Sequence, residues 1–535
     1  MSIAVTDDSS AGDRPSVHGN AFLGLDAEKL AKRGLAILIV YAVVRSLVAA
    51  ASKPFWYDEI CTWIMAHQPS VRAIWDALEH AADSQGPAFY LIERTISAIV
   101  PNEEIALRLP SIFGYCCITI CVFIFVRRRV GGAYALICSL IPFTTVLFET
   151  YAVEARAYSL VIACVAAALV CYQRASSWSW AVMMGLCLAL AQSLHYYAVF
   201  ALVPIGLAEV SRFLRAREIR IGVWLALLCG VAPLAVFWPL LSRLREYYGA
   251  HFWARPSLFA AAAMYGAFFE LKTRWGIGVA AVLVLGVLGT ALDLAARKIK
   301  SAAESGSVFD EQVLILGFLG LPFVGYVVTK IAHGGLTDRY MLPVVLGATL
   351  AMGSILPRLG RTSVALLVAF VLFGVGAREG EFWTSHHGGQ NAGKSDAEAI
   401  ERLAISVGRE DLPVAVSDGL EFPALVHYAE PRFKDRLVYL VDPGQAVAYN
   451  RTDIVDRQLV VLRTIAPIRV AEFPEFAAQH RNFLLYSDDG REAGGGLAVV
   501  DWWPVRLAHD GYSLDLLAAA GTRRIYLVGA GATAH

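Results

Sequence analysis

The chain has 535 residues, of which 57% are hydrophobic and only 17% charged, with a mean hydropathy of +0.53. Soluble domains carry about 25% charged residues, so this composition excludes an ordinary soluble domain and points to a polytopic membrane protein. Its 46 basic and 46 acidic side chains cancel to zero formal charge, which argues against a nucleic-acid partner.

The first 20 residues are polar and rich in Ser, Asp and Gly, and no short apolar core with a small-residue cleavage site follows them. Residues 1–30 therefore read as a disordered cytoplasmic N-terminus. A membrane-spanning helix needs about 20 mostly apolar residues. Stretches near 34–51, 107–126, 133–150, 156–173, 178–195, 197–212, 221–241, 276–295, 312–330, 341–357 and 362–377 meet that need, which makes about eleven spans within a membrane region 31–380. Between the first two lies a long loop, 52–106, whose segments 62–80 and 86–100 are amphipathic or interrupted by Glu93 and Arg94. They are expected to lie on the membrane surface. The nine cysteines fall between Cys61 and Cys229, mostly in apolar stretches, and make no disulfide framework.

Basic residues in short loops set the orientation. With the N-terminus inside, the inner loops receive Lys29, Lys32 and Arg33, then Arg127 to Arg129, Arg174, the cluster Arg212, Arg215, Arg217 and Arg220, then Arg297, Lys298 and Lys300, and lastly Arg358 and Arg361. The loop 242–275 is the exception, with its basic residues spread thinly outside. An odd number of spans then places the C-terminal part outside. A Gly/His/Ser-rich linker at 381–394 leads into residues 395–535, where strand-like runs (Leu412–Val416, Arg436–Val441, Leu459–Leu462, Phe483–Tyr486, Ala498–Trp502, Arg524–Val528) alternate with helical ones (395–407, 419–428, 472–480). The expected fold is a polytopic α-helical membrane protein with a C-terminal extracytoplasmic α/β domain.

On this topology the unusual polar residues of the membrane region gather on the outer face. Asp58 and Glu59 sit in Pro54-Phe55-Trp56-Tyr57-Asp58-Glu59-Ile60, just after the first span. Adjacent carboxylates at a bilayer edge are costly unless solvated, paired or needed for chemistry, although acids also favour the first turn of any helix. Glu154 lies among apolar neighbours in Tyr151–Tyr158, His195-Tyr196-Tyr197 closes the fifth span, and Asp338-Arg339-Tyr340 flanks a later outer loop. Singly these are ordinary: interfacial tyrosines anchor, a histidine at a helix end hydrogen-bonds, and an arginine snorkels. Four outer segments that together supply acids, bases and aromatics are better explained by a cavity. No metal-ligand spacing, nucleophile elbow or Walker-type loop occurs.

The order of these pieces resembles a known family. After the first span come the Asp-Glu pair, Gly86-Pro87-Ala88-Phe89-Tyr90-Leu91, Glu104-Ile105-Ala106-Leu107-Arg108-Leu109-Pro110-Ser111, Tyr151-Ala152-Val153-Glu154-Ala155-Arg156, His195-Tyr196-Tyr197 and Asp338-Arg339-Tyr340-Met341-Leu342-Pro343. Over residues 30–380 this is similar to the GT-C membrane glycosyltransferases of the protein O-mannosyltransferase and lipid A aminoarabinose transferase type. One departure is Gly86-Pro87, where those enzymes commonly carry His-Pro or Pro-Pro. The resemblance implies transfer of a sugar from a polyprenyl-phosphate donor to a lipid, polysaccharide or protein acceptor on the non-cytoplasmic side of the cell membrane. It implies Asp58 as base for the acceptor hydroxyl.

Burial beside Trp56 and Tyr57 would raise the pKa of Asp58 toward a useful value. Glu59 would orient the acceptor or share a proton, and Glu154 would be a second carboxylate binding sugar or acceptor. Arg339 and Arg156 are the candidates to pair with donor phosphate, with His195 and Tyr196 donating hydrogen bonds to it. No metal is obligatory, though the carboxylates could hold a divalent cation. Single displacement would invert the anomeric centre. The competing reading is a lipid or glycolipid transporter or flippase. Such proteins tend to place charges near the midplane between repeated halves, and the Asp-Glu segment is not repeated.

Overall fold

A computed structural model describes residues 21–268, 306–332, 334–358, 360–385, 392–488 and 501–530. The span expected near 276–295, residue His333, residues 386–391 of the linker, and most of the N-terminal tail and of the strand at Ala498–Trp502 lie outside the described residues.

The first helix, α1 (Ala21–Ser52), runs 32 residues through Ala, Leu, Val and Ile and stops before Pro54, which disfavours helical backbone at the residue preceding it. The loop that follows folds into three amphipathic helices, α2 (Tyr57–Ala66), α3 (Val71–Glu79) and α4 (Pro87–Ser97), and one short turn, α5 (Glu103–Ala106), before α6 (Leu109–Val130). Each buries an apolar face, for example Ile74, Ala77 and Leu78 in α3, as the surface-helix expectation requires.

Among the described residues, four helices are long and apolar enough to cross a membrane: Ala27–Ser52, Glu103–Val130, Tyr196–Ala216 and Thr362–Thr384. Three expected spans are bent instead. Gly132–Thr144 meets Val146–Ala152 at 84°, Ile221–Val236 meets Trp238–His251 at 59°, and Asp310–Leu319 meets Leu321–Ala332 at 64°. Proline stands at or near every break (Pro142, Pro239, Pro322), where its missing N–H and its ring interrupt the helical ladder. Tyr158–Tyr172, Trp178–Leu194 and Val344–Ile355 are apolar but hold 10–17 residues, so at about 1.5 Å per residue they fall short of a core about 30 Å thick. The expected count of about eleven spans is not confirmed among the described residues. Counting each bent pair as one span gives up to seven among the described residues.

The C-terminal part is a six-stranded sheet in the order β3-β2-β1-β4-β6-β5. Strands β1 (Val414–Val416), β2 (Leu437–Val441), β3 (Val470–Glu472) and β4 (Asn482–Asp488) are parallel, and β5 (Ser513–Ala520) and β6 (Arg523–Gly529) add an antiparallel hairpin. Ala415 stands opposite Val438 and Leu485 in register. β1 and β2 are buried throughout, as central parallel strands with both faces covered must be. One face packs Val414, Val416 and Tyr439 with Phe422 and Leu459 in a core continuous with the membrane region; the other packs Ala415, Val438 and Leu440 on Phe473, Phe476, Trp502 and Trp503. One strand expected from sequence is corrected. Leu459–Leu462 ends the helix Ile454–Leu462, because Val455, Leu459 and Leu462 fall on one helical face and four apolar residues carry no decisive period. Trp502 opens the helix Trp502–His509. β3 and β5 were not expected, β5 because its alternation is weak and most of its residues are exposed or half-buried.

Gly86 fixes how the loop meets the membrane helices. Its N–H donates to the Leu194 carbonyl at 2.9 Å, and a Cβ there would lie 2.0 Å from the Ser193 carbonyl oxygen. This close approach explains the glycine at the position where the resemblance departs. Gly86→Ala should lower stability by about 1–3 kcal/mol, the usual cost of overpacking, and a thermal melt of the solubilised protein reads it directly.

Candidate functional site

A cavity of about 400 Å³ lies between the loop face of the membrane region and the α/β domain. Its floor includes Trp56, Asp58, Asp83, Tyr151, Arg156 and Arg339; its roof comes from the ends of the parallel strands.

Asp58 reaches the cavity from the first turn of α2, where a carboxylate suits the positive helix end. Its Oδ2 accepts a hydrogen bond of 2.7 Å from Arg339 Nη1 and lies 3.9 Å from Arg156 Nε. Arg156 is held in turn by a forked pair with Asp83, at 2.8 and 3.3 Å, and donates to the Asp58 carbonyl at 3.1 Å. Four charges thus alternate along the floor: Asp83, Arg156, Asp58, Arg339. Burial pushes the Asp58 carboxyl up, but Arg156 and Arg339 outweigh it and hold the group below its ordinary range. The sequence-based expectation of a raised pKa is therefore reversed, because it counted the aromatics and not the guanidiniums. Among the described residues, Nε of both Arg156 and Arg339 is buried with no hydrogen-bond partner. Two cations with unspent donors at a cavity wall suit an anion.

The other expected site residues lie off this cavity. Glu59 is 0% exposed and grips Arg108, also 0% exposed, through Oε1–Nε at 2.8 Å and Oε2–Nη2 at 2.7 Å. It also accepts the Ala155 N–H at 2.8 Å. Glu154 points to Lys53 Nζ at 2.8 Å, and burial pushes its carboxyl up despite that ammonium. His195 accepts the Tyr197 N–H on Nδ1 at 3.2 Å. Its ring packs 5.3 Å from both Tyr158 and Tyr340, in a small hollow that Arg339 also lines. Tyr196 is buried against Phe237, and its hydroxyl has no partner among the described residues. The structure therefore joins Asp58, Arg156 and Arg339, sets His195 beside them, and leaves Glu59, Glu154 and Tyr196 behind the wall.

Asp83 was missed. Its one signal was a carboxylate in the short polar break Asp83-Ser84-Gln85 between two amphipathic helices. Arg108 stood inside a recognised run but carried no expected role. Among the described residues, no group of three or more His, Cys, Asp or Glu side chains is placed to hold a metal ion.

The bent-helix membrane region, the amphipathic loop helices and the α/β domain over the Asp-bearing loop form an ArnT-like GT-C fold. Two solved structures share it across nearly the whole chain. ArnT from Cupriavidus metallidurans in the apo state matches with a TM-score of 0.56 and 13% identity, covering 93% of this chain and 98% of that one. The same protein bound to undecaprenyl phosphate matches with a TM-score of 0.53 and 12% identity, covering 92% and 98%. No protein-family model matches the sequence, and neither does any curated protein.

If the Glu59–Arg108 pair is structural, Arg108→Met should destabilise by about 3–5 kcal/mol, the cost of leaving one partner of a buried pair unmatched. Adding Glu59→Gln should recover part of that loss. Thermal unfolding of the two variants checks it, and no recovery in the double variant would place Glu59 in another role.

Proposed function

We propose that the protein is a membrane glycosyltransferase that takes a sugar from a polyprenyl-phosphate donor and passes it to a lipid, polysaccharide or protein acceptor on the extracytoplasmic side. The observation that carries this reading is Asp58 lying 2.7 Å from Arg339 and 3.9 Å from Arg156 at the floor of a cavity in a GT-C fold. The neighbour that binds undecaprenyl phosphate supports the donor class. A multi-pass position in the inner membrane, with the N-terminus cytoplasmic, lets the lipid donor approach sideways while a polar acceptor arrives from water.

In this reading the donor phosphate docks on Arg339 and Arg156, whose forked donors match phosphate oxygens. Doing so draws Arg339 off Asp58 and brings a second negative charge beside it. Both changes raise the Asp58 pKa, so the base is weak in the empty site and strengthened by its substrate. The acceptor hydroxyl attacks the anomeric carbon and gives its proton to Asp58. The bond from that carbon to the phosphate oxygen breaks, and polyprenyl phosphate leaves with the electron pair, inverting the centre. The guanidiniums neutralise the charge that builds on the leaving group. Asp83 positions Arg156. Glu59 positions the α2 turn through Arg108, and Glu154 acts with Lys53 from behind the wall. His195 and Tyr196 back the phosphate side.

Membranes carrying wild type or Asp58→Asn, given labelled polyprenyl-phosphate sugars and envelope extract, should release polyprenyl phosphate only with wild type, the variant losing about a hundred- to ten-thousand-fold. Survival of turnover in the variant would remove Asp58 as base, and no turnover of any donor by wild type would sink the class. The pH profile carries a sign. Because the free-enzyme pKa of Asp58 is depressed, the acid limb of kcat/KM should lie below the ordinary aspartate value of about 3.9, whereas the limb of kcat, which reports the substrate complex, should lie at higher pH. Coincident limbs would rule out the exchange of partners.

A further inference from the structure

The cavity roof has its own logic. In the order β3-β2-β1-β4 the chain leaves β1 toward β2 and β3 on one side, and β4 then pairs on the other. The crevice outside the carboxyl ends of β1 and β4 is therefore a topological switch point, the place where open α/β sheets hold ligands. The turn that leaves β1, Ser417-Asp418-Gly419-Leu420, lines the cavity there.

Its chemistry is one-sided. Ser417 is 4% exposed, and among the described residues its hydroxyl has no hydrogen-bond partner; Asn450 Oδ1, on the same wall, is buried and unmatched too. Asn450 Oδ1 can only accept, whereas the Ser417 hydroxyl can accept or donate, so an occupant that satisfies both must bring at least one donor, as a sugar hydroxyl does. The roof also contributes Asp418 and Asp456 and, among the described lining residues, no lysine or arginine. Asp456 is already held by the Tyr439 hydroxyl at 2.7 Å and the Asp442 N–H at 3.0 Å, and burial pushes it up to about 6. The cations of the cavity sit on the floor alone. An anionic group is thus drawn to the floor and repelled by the roof.

We infer that the switch-point crevice of the α/β domain binds a hydroxyl-rich glycan moiety of the acceptor, uncharged or cationic, with Ser417 and Asn450 accepting its hydrogen bonds. Assigning it to the acceptor rests on the glycosyl-transfer reading, which gives the floor to the donor; the binding itself does not.

The test uses the full-length protein in lipid nanodiscs without turnover. Saturation-transfer NMR is recorded with methyl glucoside, glucosamine and glucose 6-phosphate as probes. The first two should receive saturation through the crevice, whereas saturation of the sugar phosphate should come from the floor arginines and be insensitive to changes at Ser417 and Asn450. Ser417→Ala with Asn450→Ala should weaken binding about fivefold or more, one neutral hydrogen bond being worth about 1 kcal/mol, while Asp58→Asn keeps it. Should the double variant fail to fold, Asn450→Asp provides the second reading, since a third roof carboxylate should favour glucosamine over methyl glucoside. Equal sensitivity of the sugar phosphate to the roof substitutions, or no change in methyl glucoside binding in either variant, overturns the proposal. Displacement of methyl glucoside by a polyprenyl-phosphoryl sugar overturns the acceptor assignment and gives the crevice to the donor. Glycoside binding that persists while no donor is turned over would instead fault the transfer reading and leave the crevice standing.

Discussion

One guanidinium organises the site. Arg108, at the start of α6, spends all five of its donors: two on Glu59 and three on the carbonyls of Ala50, Lys53 and Pro54, at 2.6–3.0 Å. A single buried side chain thereby joins the end of the first helix, the turn into α2 and the foot of α6. Glu59 extends the tie to Ala155 and so to the segment that carries Arg156. Isolated, either charge would be very costly at zero exposure. Paired and fully hydrogen-bonded they become a rivet, of more use for defining one geometry than for net stability.

What the rivet holds in place is a row of charges that is not fully satisfied. Asp83 and Asp58 between them engage Arg156 and Arg339, yet both arginines keep a buried Nε without a partner among the described residues. Two buried donors left without a partner beside a cavity are what the proposed anion site would use. The depressed Asp58 pKa is the other side of the same arrangement, since the arginines that wait for an anion meanwhile stabilise the carboxylate. In the proposed reaction its basicity would then depend on what occupies the cavity, which would tie proton acceptance to the presence of a substrate.

The parts legible in the sequence were those carried by composition and by local pattern. Apolar length marked α1 and α6, short strand-like runs between helical segments marked β1, β2, β4 and β6, and the aromatic Asp-Glu run marked the loop that bears Asp58. What stayed hidden depends on contacts between distant segments. Adjacent carboxylates look equivalent in a sequence, yet the α2 turn sends Asp58 into the cavity and Glu59 into the wall, a choice made by Arg108 49 residues away. Asp83 reads as a loop residue until Arg156 meets it across 73 residues. The bends within three expected spans were hidden as well, because hydropathy averages over a proline that leaves composition unchanged, as near Pro142 and Pro322.

The run from Phe55 to Glu59 shows how the two halves of the molecule are made to share one site. The Phe55 N–H donates to Tyr428 of the α/β domain at 2.8 Å, and the Tyr57 hydroxyl donates to Gln458 at 3.0 Å. Gln458 returns a bond to the Ala82 carbonyl at 2.9 Å, beside Asp83. Alternate residues of five are thus spent on docking the domain or locking the wall, and Asp58 alone among their side chains reaches the cation row. A shift of the domain would pull on the same backbone that sets Asp58 and Asp83. Roof and floor are therefore not independent surfaces that happen to face each other: whatever settles the domain on the loop also sets Asp58 and its arginines.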